Sequence, residues 1–231
     1  MLEKNALTTL EQARKHLGIP DTDTSRDESI EFLINAASSL IEKYCSRKFG
    51  LNRYQELLTG RGSLKLVLNH YPITELHAID ITQVVGSESV DVTKVHILPN
   101  GMLYRPNGGF PDNRLISQFM HPNYDQEVHN IFVDYSAGYV LPKDATEDNP
   151  RTLPYDLELA CLKMISNMKR DKEISTGSNT EGNLVMTSES IGDWSASYQQ
   201  AVKTDSPNYT KFISPDVETI LCEYKQGDYF V

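Results

Sequence analysis

Apolar residues recur at spacings of three and four in four stretches of the chain, and at every second position in a long stretch between them. The first helical stretch carries Leu7, Leu10, Ala13 and Leu17, and Thr8 with Glu11 fits a capping box, so a short helix is expected near 9–17. Gly18 suits the left-handed position after its end and Pro20 prevents continuation. The second stretch is the strongest: Ile30, Leu33, Ile34, Ala37, Leu40, Ile41, Tyr44 and Cys45 share one face. Ser25 and Glu28 suggest a second capping box, Asp27 and Glu28 suit the positive end of the helix dipole, and Lys43, Arg47 and Lys48 suit its negative end. Burying six such side chains is worth on the order of 10 kcal/mol before entropy, so this helix must pack on something.

From about 53 to 139 the period falls to two. Tyr54 to Leu58 and Leu64 to Leu68 flank Gly60-Arg61-Gly62, a hairpin signal. Ile73 to Val85 reads as one long strand or two short ones. Val95 to Leu98 and Met102 to Tyr104 flank Pro99-Asn100-Gly101, and Asn-Gly is the strongest short hairpin signal because both residues tolerate positive φ. Residues 106–128 lack a pattern, and Asn130 to Tyr135 reads as a last strand closed by Ala137-Gly138. Prolines at 142, 150 and 154 punctuate an acidic linker. A third helix is expected over 153–173 with Leu157, Ala160, Cys161, Met164, Ile165 and Met168 on one face. The polar segment 175–190 predicts a mobile loop, and Ile191 to Tyr198 a short strand. Ser214 as N-cap and Pro215 as first residue open a last helix carrying Val217, Ile220, Leu221 and Tyr224, with Gly227 at its end. The expected fold class is α+β, a small helical bundle with an inserted, mostly antiparallel β-subdomain: 1–50 and 141–231 form the bundle and 51–140 the insertion.

Composition narrows the function. The 231 residues include 22 Lys and Arg against 32 Asp and Glu, a net charge of −10, which argues against a protein that holds nucleic acid through its phosphates. No apolar run is long enough to cross a membrane, and the N-terminus lacks the charged-then-apolar start of a secretory signal. Cys45, Cys161 and Cys222 are far apart, odd in number and set in helical stripes, so buried thiols are expected rather than disulfides or a zinc site. The chain has no G-x-S-x-G, no phosphate-binding G-x-x-x-x-G-K-[ST] and no H-E-x-x-H, and its six histidines are scattered. No catalytic residue, cofactor site or metal site is expected. Two features stand out. Lys169, Arg170 and Lys172 at the expected end of the third helix either complement its dipole or meet a phosphate or acidic partner. Tyr229, Phe230 and Val231 form an apolar tail that either docks on a partner or folds back on its own core.

The order of elements then becomes informative. A short helix carries Leu7-Thr8-Thr9-Leu10-Glu11-Gln12-Ala13, and a long helix carries Phe32-Leu33-Ile34-Asn35-Ala36-Ala37 through Tyr44. A β insertion ends in Val133-Asp134-Tyr135-Ser136-Ala137-Gly138-Tyr139, Leu153-Pro154-Tyr155-Asp156-Leu157 opens a helix, and Ser188-Glu189-Ser190-Ile191-Gly192-Asp193-Trp194-Ser195 follows. Over nearly the whole chain this resembles the head–tail connector proteins of tailed bacteriophages, also called adaptor or head-completion proteins. The insertion and the 106–128 loop are longer than in the smallest members. The resemblance implies a non-catalytic virion protein of the neck, assembled in the host cytoplasm. It implies a homo-oligomeric ring, typically twelvefold, below the portal protein, extending the DNA channel and offering a platform to a stopper or tail-completion protein. DNA would pass without specific binding, and the tail residues Tyr229, Phe230 and Val231 would dock on the portal. A related stopper protein would be mostly β and lack the long paired helices. A hydrolase or a non-catalytic binding module on the β-subdomain would need a convergent His, Ser and carboxylate set or a concave aromatic face.

Overall fold

The computed structural model describes residues 1–83, 86–112, 130–177, 188–191, 194–197 and 212–226. Helices α1 (Leu10–His16), α2 (Asp27–Cys45), α3 (Tyr155–Gly177) and α4 (Pro215–Cys222) share one hydrophobic cluster, centred on Ile34, Ile41, Leu157, Cys161 and Leu221. Between α2 and α3 lie strands β1 (Asn52–Leu58), β2 (Lys65–Val67), β3 (Ile73–Thr82), β4 (Ser87–Ser89), β5 (His96–Leu98), β6 (Met102–Tyr104) and β7 (Ile131–Ala137). These make a four-stranded antiparallel sheet, ordered β1-β7-β3-β4, and a three-stranded one, ordered β2-β6-β5. Leu66, Ile79, Ile81, Leu103, Phe110, Val133 and Tyr135 fill a second cluster between them. The fold class is therefore α+β, with helices before and after a run of antiparallel strands. A separate hairpin pairs β8 (Ser188–Ile191) with β9 (Trp194–Ser197), where one short strand was expected.

Helix positions follow the apolar stripes, while their caps depart from local expectation. Thr9 caps α1, accepting from the Gln12 amide at 3.3 Å. Thr8, the expected cap, is buried and donates to Glu158 of α3 at 2.8 Å, a tertiary bond that withdraws its hydroxyl from the helix end. Ser25 likewise bonds Asp23 and leaves Arg26 at the start of α2 with no side-chain cap. Asp27 in the first turn of α2 pairs with Arg14 of α1. Helix α2 stops at Ser46, left-handed at φ 55°. Helix α3 runs beyond 173 to Gly177, so Lys169, Arg170 and Lys172 fall inside it and its last turn holds no basic residue. The expected loop 175–190 thus begins in α3 and ends in β8, and 178–187 lie outside the described residues. Pro215 opens α4 as expected, but the helix ends at Cys222, before Gly227. Cys45 and Cys161 are buried as expected, whereas Cys222 is exposed.

The 95–104 hairpin forms as expected, with Asn100 at φ 60° and Gly101 at φ 73°. Gly60-Arg61-Gly62 does not make a hairpin: β1 pairs with β7 and β2 with β6, so this link crosses from one sheet to the other. Gly60 serves close approach. Its amide donates to Asn130 Oδ1 at 2.7 Å, and a Cβ there would lie 1.9 Å from the Pro111 carbonyl oxygen. Gly138, at φ 115°, lets the chain leave β7 against the Gly50 carbonyl, which a Cβ would meet at 2.4 Å. That contact, with Tyr139 N–H donating to Phe49 at 2.7 Å and Gly138 N–H to Pro72 at 2.9 Å, joins sheet to bundle.

Candidate functional site

The seam between bundle and sheet holds a cleft of about 570 Å³, walled by the end of α2, the segment before β3 and the end of the described chain. Glu42, only 4% exposed, anchors one wall by accepting from Asn5 Nδ2 at 2.9 Å, Lys48 Nζ at 2.7 Å and the Phe49 amide at 3.3 Å. Arg47 donates to the Tyr71 carbonyl, and its guanidinium lies 3.7 Å from the Tyr71 ring centroid and 5.0 Å from that of Phe49. These stacked, desolvated contacts fix the crossing from helix to sheet. Gln226 closes the cleft: its amide donates to Cys45 O at 2.9 Å and its side chain to Asn69 O at 3.2 Å.

Behind this wall the inward face of the sheet carries a polar network. Glu56 stands between Tyr54 and Leu58 on β1 and receives Tyr135 Oη–H at 2.6 Å and the Asn69 amide at 3.3 Å. His70 Nδ1 lies 2.8 Å from the same carboxylate, and its ring stacks on Tyr54 with centroids 3.7 Å apart. Burial pulls the Glu56 carboxyl upward, but the hydrogen bonds from His70, Tyr135 and the Asn69 amide outweigh it and hold the group below its ordinary value. Burial, then the bond to Glu56, pushes the Tyr135 hydroxyl up. On the outward face Arg53 grips Asp134 with bonds of 2.7 and 2.8 Å, and these, aided by Gln55, bring that carboxyl to about 2. Every charge in these clusters has its partner. The arrangement holds a shape, and among the described residues no three His, Cys, Asp or Glu side chains are grouped to hold a metal.

Comparison with known proteins now decides the family. The family model for head completion proteins matches residues 6–192, which spans α1 to α3, both sheets and β8. The chain belongs to the head completion protein family. No curated protein is similar enough to count as a relative. Among solved structures, this head completion protein is similar to a chain from the neck of an empty gene transfer agent (GTA) particle computed with C6 symmetry, at TM-score 0.50 and 12% identity, covering 98% of this chain and 96% of that one. It is similar to a chain in the virion of a native GTA particle at TM-score 0.50 and 13% identity, covering 98% and 93%. At such identities these matches describe the fold. Family membership makes this a structural virion protein of the head–tail junction.

The surfaces of a head completion protein matter through what they touch. The expected portal-docking residues Tyr229, Phe230 and Val231 lie outside the described residues; the structure places Gln226, the residue before Gly227, on the cleft wall. Of the three basic residues singled out on the third helix, Arg170 is exposed and Lys169 half-buried, both within α3. The four described histidines do not converge: His70 sits in the Glu56 network, His77 bonds Ser136 at 2.8 Å, His96 lies beside Tyr104, and His16 is exposed. His121 and His129 lie outside the described residues. The Glu56 network escaped the sequence reading, although a carboxylate at an inward strand position was its visible signal. Also missed were large apolar side chains left on the outside of the bundle, Phe32 at 72% and Tyr155 at 79% exposure.

Proposed function

We propose that this head completion protein forms a closed ring below the portal, extends the DNA channel, and presents its far side to a stopper or tail-completion protein. The family match across residues 6–192 carries the reading. The likeness over 98% of the chain to a protein in a neck of C6 symmetry supports the ring and is compatible with a twelvefold one, since six divides twelve. Closure of a head-to-tail ring needs two different faces on each subunit. In this reading 1–50 and 141–231 supply the bundle that meets neighbouring copies, and 51–140 reaches away from it.

The acidity fits a conduit. Twelve copies at −10 each would carry roughly −120, and carboxylates facing the lumen give DNA phosphates no counter-charges to bind. A basic channel wall in an assembled neck would contradict that part of the reading.

The tail supplies the portal contact. It follows Gln226, whose two hydrogen bonds, one to Cys45 of the bundle and one to Asn69 of the insertion, secure its root and leave Tyr229, Phe230 and Val231 as the docking residues. Deleting 227–231 should abolish capture by purified portal rings while circular dichroism and the melting temperature stay unchanged; undiminished capture would remove the assignment. The reading as a whole is tested by quantitative mass spectrometry of particles. The chain should match a ring's copy number in DNA-filled tailed virions and be missing from precursor heads. Its absence from virions would overturn the reading.

A further inference from the structure

Helices α2 and α3 each leave large apolar side chains outside the bundle core. On α2 the core face is Ile30, Ile34, Ala37, Ile41 and Cys45. At 100° per residue, Phe32 points almost directly away from it, in an outer row with Glu28, Asn35, Ser39 and Lys43, while Ala36 and Leu40 pack against the bundle core. Phe32 is 72% exposed, and Ala36 and Leu40 are half-buried. On α3 the core face is Leu157, Cys161, Met164 and Met168, with Leu162 packed against the same core, and Tyr155, Leu159 and Ser166 lie opposite. Tyr155 is 79% and Leu159 40% exposed. A helix with one covered face ordinarily turns charge to water on the other. Here two helices turn large apolar side chains outward, Phe32 on one and Tyr155 and Leu159 on the other, on two different faces of one bundle.

The charges at the ends of the two rows are complementary. The α2 row begins at Glu28 and ends at Lys43; the α3 row begins beside Asp156 and ends beside Arg170. Laid antiparallel, the rows set Glu28 against Arg170 and Lys43 against Asp156. Laid parallel, they would oppose like charges at both ends. The bundle already orients the helices this way. Tyr224 Oη–H donates to Asp156 at the start of α3 at 2.7 Å, while its ring meets Phe49, just past the end of α2, edge-on at 6.2 Å. A ring axis running roughly along the helices would preserve that sense and bring α2 of one copy antiparallel to α3 of the next.

We infer that the outer row of α2, led by Phe32, packs antiparallel against the outer row of α3, led by Tyr155 and Leu159, on a second copy of this chain. The contact rests on the ring reading and names its two faces. Because the rows differ, the contact is head-to-tail and leaves one free row at each end of any open chain of subunits, which is what ring closure uses up.

The full-length chain carrying Cys222→Ser, which removes the exposed thiol, supplies the test. Variants Ser39→Cys and Leu159→Cys are made separately and treated with a short thiol-specific cross-linker, alone and mixed. The mixture should give covalent dimers at about tenfold the yield of either variant alone, as a contact between two different central faces requires. Equal yields from single variants, or none from the mixture, overturn the contact. Charge reversal gives a second readout. Glu28→Lys and Arg170→Glu should each raise the concentration for half-assembly by about threefold to tenfold, and the double variant should return close to wild type. Additive losses in the double variant would overturn the pairing. Rings that persist in Phe32→Arg and Leu159→Arg would discard this contact and leave the ring reading standing. A wild-type chain that forms no ring by itself or on the portal would discard the ring reading and the contact with it.

Discussion

Glu56 stands where alternation calls for an apolar side chain, and the neighbours it gathers explain why it is tolerated. A carboxylate taken out of water is costly unless its lone pairs are filled, and Tyr135, His70 and Asn69 fill them. Truncation by Glu56→Ala leaves those partners facing one another, and a loss of about 1–3 kcal/mol in urea denaturation is expected. The pH dependence follows from the lowered carboxyl. A group whose folded value is depressed stabilises fully above its unfolded value and loses that contribution as pH falls through the folded one. The gap between wild type and Glu56→Gln should therefore be full at pH 7 and close below about pH 4. Asp134, brought to about 2 by Arg53, should hold its contribution further into acid, with Asp134→Asn matching wild type only near that pH. At Gly60 the constraint is steric: Gly60→Ala drives a Cβ into the Pro111 carbonyl and should cost about 1–3 kcal/mol, read as a fall in melting temperature.

Helix α1 has only seven residues, too few to hold together alone, so it exists by docking. Its two threonines separate local from tertiary support. Thr9→Ala removes a cap accepting at 3.3 Å and should cost about 0.5–1 kcal/mol. Thr8→Val removes one of two donors to the buried Glu158 carboxylate, leaving Arg151 as the other, and should cost more, about 1–3 kcal/mol. Matched urea denaturation curves check the ranking. The apolar stripes of α2 and α3 and the Asn100-Gly101 turn were legible in the sequence, because the forces that shape them act within a few residues. The Gly60–Gly62 link was not. Two glycines between alternating segments look the same whether the flanking strands pair with each other or with distant partners.

At the scale of the molecule, sheet and bundle meet through a few backbone bonds and the Gln226 anchor. Deleting 226–231 should lower the melting temperature relative to deleting 227–231, since only the longer cut removes the bonds to Cys45 and Asn69. Differential scanning fluorimetry on the two truncations reads this directly. Strand β4 and the β8–β9 hairpin were not legible in the sequence, but the order of the four helices around a run of strands was, and it carried the resemblance to the head completion proteins. Their partners in space were not, and neither was the Glu56 network, whose members lie on three separate segments.

The sequence by itself determined what short-range forces determine: the helical periods, the Asn-Gly turn, the acidity and the order of elements. Tertiary structure alone decided which strand lies beside β1, where Thr8 sends its hydroxyl, and which apolar residues stay uncovered. A helical stripe shows that a face is apolar, but burial depends on what else reaches it. Ile34 and Phe32 are equally apolar to the eye, and only packing against Cys161, Leu157 and their neighbours made one of them core and left the other facing out.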